Sequence, residues 1–179
     1  MPTVITHSLF SLALGKTIKW KQSTKVSLYS FCCGSLPDLD FIGRYFGIKY
    51  ADQWGHRGWT HSLFMAVVIG LLLSILCSQK QLKYRLSWWL YFSFLTSTHT
   101  LLDMCTNGGH GVALFAPWSH TRIFFSQYCR VINVSPMHFH NFTWDRFTPV
   151  FLSELTWIIL PVSCIIAVRY FFEARNNYR

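Results

Sequence analysis

Residues 62–79 (SLFMAVVIGLLLSILCSQ) carry no charged side chain, and residues 86–105 and 150–172 are nearly as apolar. A hydrocarbon core about 30 Å thick is crossed by ~20 apolar residues in a helix. Three such stretches in 179 residues leave little room for a water-soluble core. Only 13% of the residues are charged, against about 25% in soluble domains. The reading is a single domain, residues 1–179, folded as an all-α integral membrane helical bundle of about five apolar helices.

The first two helices are short. Residues 3–15 (TVITHSLFSLALG) and 26–36 (VSLYSFCCGSL) are apolar but reach only part of the way across a bilayer. The second ends at Pro37, a break or a helix start that delivers Asp38 and Asp40. Residues 41–61, with four glycines, read as loop. Residues 106–149 are mixed and aromatic, with short helices or turns expected. The 150–172 helix has Glu154 near its start and Pro161 as an expected kink.

The formal net charge is +9, and the basic residues flank the apolar runs, which favours lipid headgroups over nucleic acid as partner. Ten Lys/Arg lie in the connections 16–25 and 80–85 and beyond residue 168, and six in segments 38–61 and 106–149. The basic-rich face is expected in the cytoplasm with the C-terminus, and the other face in the periplasm. The six cysteines form no CxxC pair. Most read as buried small hydrophobes, and Cys105 and Cys129 could pair only in an oxidising compartment.

The chain holds only seven acids, and three of them lie in short motifs with histidine: Ser35-Leu-Pro-Asp38-Leu-Asp40, His56-Arg-Gly-Trp-Thr-His61-Ser62 and His99-Thr-Leu-Leu-Asp103. His99 and Asp103, at i and i+4, share one helix face and can hold one divalent cation. Following the chain up and down the bilayer brings His7, Asp38, Asp40, His61, His99, Asp103 and Glu154 to one membrane face. Ionisable groups in such places are functional candidates. Asp38 and Asp40 could cap a helix, ligate, or both. His56 and His61, five apart, do not share a helical face, so one is expected to ligate and the other to support. Glu154 could be a helix-end charge, ligand or general base. Arg57 and Arg122 could anchor headgroups or grip phosphate. His110, His120, His138 and His140 are irregularly spaced and read as surface residues.

These motifs, with Thr106-Asn107-Gly108 and the Pro117–Arg122 stretch, resemble the YdjM-like family of membrane-bound metal-dependent hydrolases, some of them under LexA (SOS) control. That family is similar in turn to zinc-dependent phospholipase C and the single-strand-specific zinc nucleases, all-helical enzymes that cleave phosphoesters. The resemblance implies metal ligands at His7, Asp38 or Asp40, His61 or His56, His99 and Asp103, with Asp103 bridging two cations. The HxxxE pair of those enzymes is absent: Val150 stands four residues before Glu154. Two zinc ions are expected, with one to three possible and manganese as an alternative. The implied function is hydrolysis of a phosphoester in a lipid or lipid-linked substrate at the inner membrane. Asp40 or Glu154 would serve as general base, and Arg57 or Arg122 as charge-stabilising groups. The competing reading is a non-catalytic structural or sensor protein that a metal holds together.

Overall fold

A computed structural model describes residues 2–18, 22–77, 82–134 and 143–177. Among them are six α-helices and no strand: α1 Val4–Ile18, α2 Thr24–Cys33, α3 Leu63–Cys77, α4 Leu82–Met104, α5 Trp144–Glu154 and α6 Leu160–Asn177. Two isolated bridges, Thr106 with Ile132 and Val112 with Ile123, hold the long connection after α4 to itself.

Local chemistry explains several boundaries. The Ser23 hydroxyl accepts from the Val26 amide and opens α2. After Gly34 the chain tightens into a 3-10 segment, Leu36–Phe46, with Pro37 in its first turn and Gly47 closing it at φ 82°. The expected loop over 41–61 is thus helical in its first part, and a second, one-turn 3-10 segment, Trp59–His61, leads into α3. Such runs seldom exceed 3–4 residues, so the 11-residue length of the first is unusual.

α5 and α6 form one rod with a π-helical turn at Leu155–Ile159 between them. The turn directly precedes Pro161, whose missing N–H cannot continue the i to i−4 ladder. The expected disturbance at that proline therefore falls one turn earlier. Trp144–Arg175 spans 32 residues and is, among the described residues, the one helix long and apolar enough to cross a membrane. α1 and α3 are apolar but shorter. The expectation of about five apolar helices is thus met for helix content and, by length, for one span.

α3 and α4 pack as an antiparallel pair, and α1 crosses α2, α4 and α6. The main apolar cluster joins Cys33 from α2, Leu73 from α3 and Phe92 and Leu95 from α4. Small residues allow the close crossings. A Cβ on Gly70 would stand 2.5 Å from the Ser93 amide nitrogen. A Cβ on Gly34 would run into the His7 carbonyl oxygen and stand 2.7 Å from the Ser8 Cα. These crossings bring the start of α1, the end of α2, the start of α3 and the end of α4 to one place. All six cysteines are free thiols.

Candidate metal centre

Five of the expected ligands meet there. His61 Nε2 lies 3.4 Å from Asp38 Oδ1 and 3.4 Å from Asp103 Oδ2. His99 Nε2 lies 3.4 Å from Asp38 Oδ1 and 4.0 Å from Asp103 Oδ2, and 3.0 Å from His61 Nε2. His7 Nε2 lies 3.4 Å from Asp103 Oδ1, and its ring stacks on His99 at 3.9 Å. None of these five side chains is more than 6% exposed.

The second nitrogen of each ring shows what Nε2 is left to do. His99 Nδ1 is 2.8 Å from the Gly34 carbonyl oxygen, which can only accept, so Nδ1 carries the proton. His61 Nδ1 faces Asp40 Oδ2 at 3.1 Å. Both Nε2 atoms therefore present lone pairs to each other across 3.0 Å. Bare lone pairs at that separation require a proton or a cation between them. Neither oxygen of Asp38, neither ring nitrogen of His7, nor Asp103 Oδ2 has a hydrogen-bond partner. Buried polar atoms are normally satisfied, so this convergence calls for protons shared between the groups or for a bound cation.

A zinc ion fits it. Corners of a tetrahedron drawn at the ~2.0–2.1 Å of His and carboxylate ligands stand about 3.3–3.4 Å apart. Five of the six separations among His61 Nε2, His99 Nε2, Asp38 Oδ1 and Asp103 Oδ2 run from 3.0 to 4.0 Å around that value. Charge agrees. The side chains of Asp38, Asp40 and Asp103 are all buried, and among the described residues the buried guanidinium of Arg57 pairs with Asp103; with the histidines neutral this leaves two negative charges for one divalent cation to neutralise. Two overlapping donor sets exist: Asp38, His56, His61 and Asp103, and His7, Asp38 and His99. Asp38 is common to both, whereas Asp103 divides its oxygens between His7 and His61.

Asp40 faces away from this centre and supports it. It accepts from His56 Nδ1 at 2.8 Å, from the Thr60 hydroxyl at 2.5 Å and from His61 Nδ1. This is the carboxylate–histidine pairing that fixes ring tautomer behind a metal ligand. Burial alone would raise the Asp40 carboxyl, but hydrogen bonds from His56 and His61 hold it well below its ordinary range. Burial would likewise lower His61, yet Asp103, Asp38 and Asp40 lift it well above the usual imidazole value. The field at His61 thus favours positive charge.

Three residues expected to do chemistry have partners within the protein. Arg57 is fully buried, with a left-handed φ of 64°. Its Nη1 donates to the Gly108 and His110 carbonyl oxygens. Its Nη2 donates to Asp103 at 3.3 Å and to the Thr106 hydroxyl at 2.9 Å, while Nε sits 3.2 Å from Asp103. Arg122 donates to the carbonyl oxygens of His56, Gly111, Tyr50 and Asp52, bracing two loops. Glu154, 3% exposed, accepts from the Thr3 amide at 2.5 Å, the Thr3 hydroxyl at 3.0 Å and the Thr6 hydroxyl at 2.6 Å. It caps α1 from the end of α5, through Thr3 and through Thr6, the neighbour of His7, and lies outside both donor sets.

Gly34 was not singled out in the sequence, and Thr60 and Thr106 stood there only as members of motifs, with no part in the site, though all three act here. The usable signals were local: glycine between an apolar helix and a Pro-Asp turn, and threonine beside a histidine or three residues after Asp103. His110 packs on Tyr50 at 4.9 Å and His120 on Trp59 at 6.4 Å, away from the cluster. His138 and His140 lie outside the described residues.

The YdjM inner membrane protein family matches residues 1–175. Inner membrane protein YbcI of Escherichia coli (strain K12) is 36% identical over 162 residues, 90% of this chain and 92% of that protein. No solved structure matches. Agreement over this length of both chains shows the family: the chain belongs to the YdjM inner membrane protein family.

Proposed function

We propose that the protein is a multi-pass inner membrane hydrolase that cleaves a phosphoester, in a lipid or lipid-linked substrate, with a metal-activated water. The observation that carries this is the convergence of bare, buried His and Asp donors at tetrahedral spacing. Asp38, His61, His99 and Asp103 hold a first cation, zinc by ligand type with manganese as alternative. His7, with Asp38 and Asp103, offers part of a second position. A divalent cation bound here supplies a water of lowered pKa and an electrophile for phosphoryl oxygens. Asp40 fixes His61 and His56, and Arg57 fixes both oxygens of Asp103. With the first position alone filled, Asp38 would keep its second oxygen, free of hydrogen bonds, to take the proton of the attacking water. Arg122 and Glu154 act as braces. The motif face looks outward and the C-terminus lies in the cytoplasm, as the Lys/Arg bias favours.

One observation favours a second reading. Every donor is nearly closed off from solvent, as in structural metal sites, whose coordination is completed by protein. Two measurements separate the readings. The first is metal content by mass spectrometry on detergent-purified protein, beside Asp103→Ala and His99→Ala. One or more equivalents of zinc, lost in both variants, is expected. No metal, even after reconstitution with Zn²⁺ or Mn²⁺, would end both readings. The second is the visible spectrum of the Co²⁺-substituted protein on adding inorganic phosphate. A shift indicates an exchangeable position and supports hydrolysis. An unchanged spectrum, with no release of phosphate from phospholipids or lipid phosphates, leaves the structural reading.

A further inference from the structure

The Leu36–Phe46 segment repeats every three residues, because side chains at i and i+3 eclipse on a 3-10 helix. Its rows therefore have separate fates. Pro37 and Asp38 are buried, and Asp40 is turned onto His56, Thr60 and His61. The row Leu39, Ile42, Tyr45 is exposed by 56%, 51% and 82%, with Phe46 beside it at 81%. An apolar ridge of this kind, carried by the segment that supplies Asp38 to the centre, is left exposed by the other described elements, with only Phe41 of its own segment against Tyr45.

We infer that this ridge lies in the headgroup and upper acyl layer of the bilayer and seats lipid phosphates at the rim of the centre. Three observations select lipid as the occupant. The chain belongs to an inner membrane protein family. The segment has the composition of an interfacial helix, with apolar and aromatic residues outward and basic residues alongside. And the charge of the segment itself complements an anionic surface: both its acids, Asp38 and Asp40, face inward, while its Arg44 stacks on Phe41 at 5.3 Å; beyond Gly47 the exposed Lys49 and Asp52 offset one another. A ridge on the same short segment as Asp38 couples the depth of the bilayer surface to the position of the centre. This second part rests on the hydrolase reading; the placement of the ridge does not.

Photo-crosslinking tests it in the full-length protein. The photoreactive residue p-benzoylphenylalanine is introduced by Tyr45→p-benzoylphenylalanine and, separately, at Phe46. The protein is reconstituted in phosphatidylethanolamine–phosphatidylglycerol vesicles, irradiated and weighed intact. A third variant places the probe at Phe171, an exposed residue of the long apolar rod. Lipid adducts at 45 and 46, within about twofold of the yield at 171, are expected. Adduct at 171 with none at 45 or 46 overturns the inference, as does a crosslinked dimer at 45, which would assign the ridge to a second copy. The readout needs neither metal nor activity, so failure of the hydrolase reading leaves it unaffected.

Discussion

Asp40 and Asp38 stand two residues apart and do different work. Asp38 has both oxygens bare in the cluster, while Asp40 is saturated by two histidines and a threonine. Removing the charge of Asp40 should leave the metal site present but weaker. Loss of such a supporting carboxylate typically costs about 10- to 100-fold in metal affinity. Asp40→Asn is expected to show that loss in a competition titration against a zinc chelator, whereas Asp38→Asn should bind no zinc under the same conditions. Equal affinities in the two variants would contradict the division of roles. Glu154 has a separate consequence. In Glu154→Ala the Thr3 amide and the Thr3 and Thr6 hydroxyls lose their acceptor. Unsatisfied buried groups cost about 1–3 kcal/mol each. A lowered melting temperature with zinc content retained is expected, since Glu154 touches no donor of the cluster; loss of zinc at unchanged stability would make it a ligand after all. HxxxD, LPDLD and HRGWTHS already marked the residue types of the site. They could not say which of two aspartates or two histidines faces inward, because a 3-10 turn and a loop, unlike an α-helix, impose no fixed 3.6 period.

Among the elements, the helix crossings set the site. Gly34 lets α1 pass so closely that its own carbonyl oxygen receives His99 while His7 lies against its Cα. Gly70 does the same between α3 and α4, away from the donors. Overpacking a tight contact costs about 1–3 kcal/mol. Gly34→Ala and Gly70→Ala are both expected to lower thermal stability in that range. Only Gly34→Ala should also reduce zinc affinity, because it displaces α1 with His7 and disturbs the acceptor of His99. Unchanged zinc binding in Gly34→Ala would show that the cluster tolerates a shifted α1. Helix positions were legible as apolar runs bounded by polar turns, and α1 to α4 lie close to where those runs place them. The 3-10 segment and the π turn were not, since both answer to neighbours: the first to donors that need Asp38 inward and Asp40 on the histidines, the second to Pro161 and the docking of Glu154 on α1.

At the scale of the whole molecule, buried charge would link stability to a bound cation. Three carboxylates against one guanidinium is a poor arrangement in a low-dielectric interior without a cation. Zinc that binds only the folded state at a hundredfold excess over its dissociation constant adds about 2.7 kcal/mol. Chelation is accordingly expected to lower the melting temperature of the wild type and to leave Asp103→Ala, already metal-free, unmoved. A wild-type melting curve indifferent to chelator would remove the cation from the account of the fold. Composition and run lengths alone determined that this chain is helical and belongs in a membrane, because a bilayer demands helices with apolar surfaces. The order of the motifs alone determined that His7, Asp38, His61, His99 and Asp103 reach one end of the helices, because each helix end reverses direction once. Only the tertiary structure decided which atoms meet. That depends on crossings a few ångströms close, where Gly34 and Gly70 admit a backbone, and on hydrogen bonds to Asp40 and the Gly34 carbonyl and from Arg57 that turn each ligand group inward. Those contacts join residues up to 65 positions apart, and no local pattern encodes them.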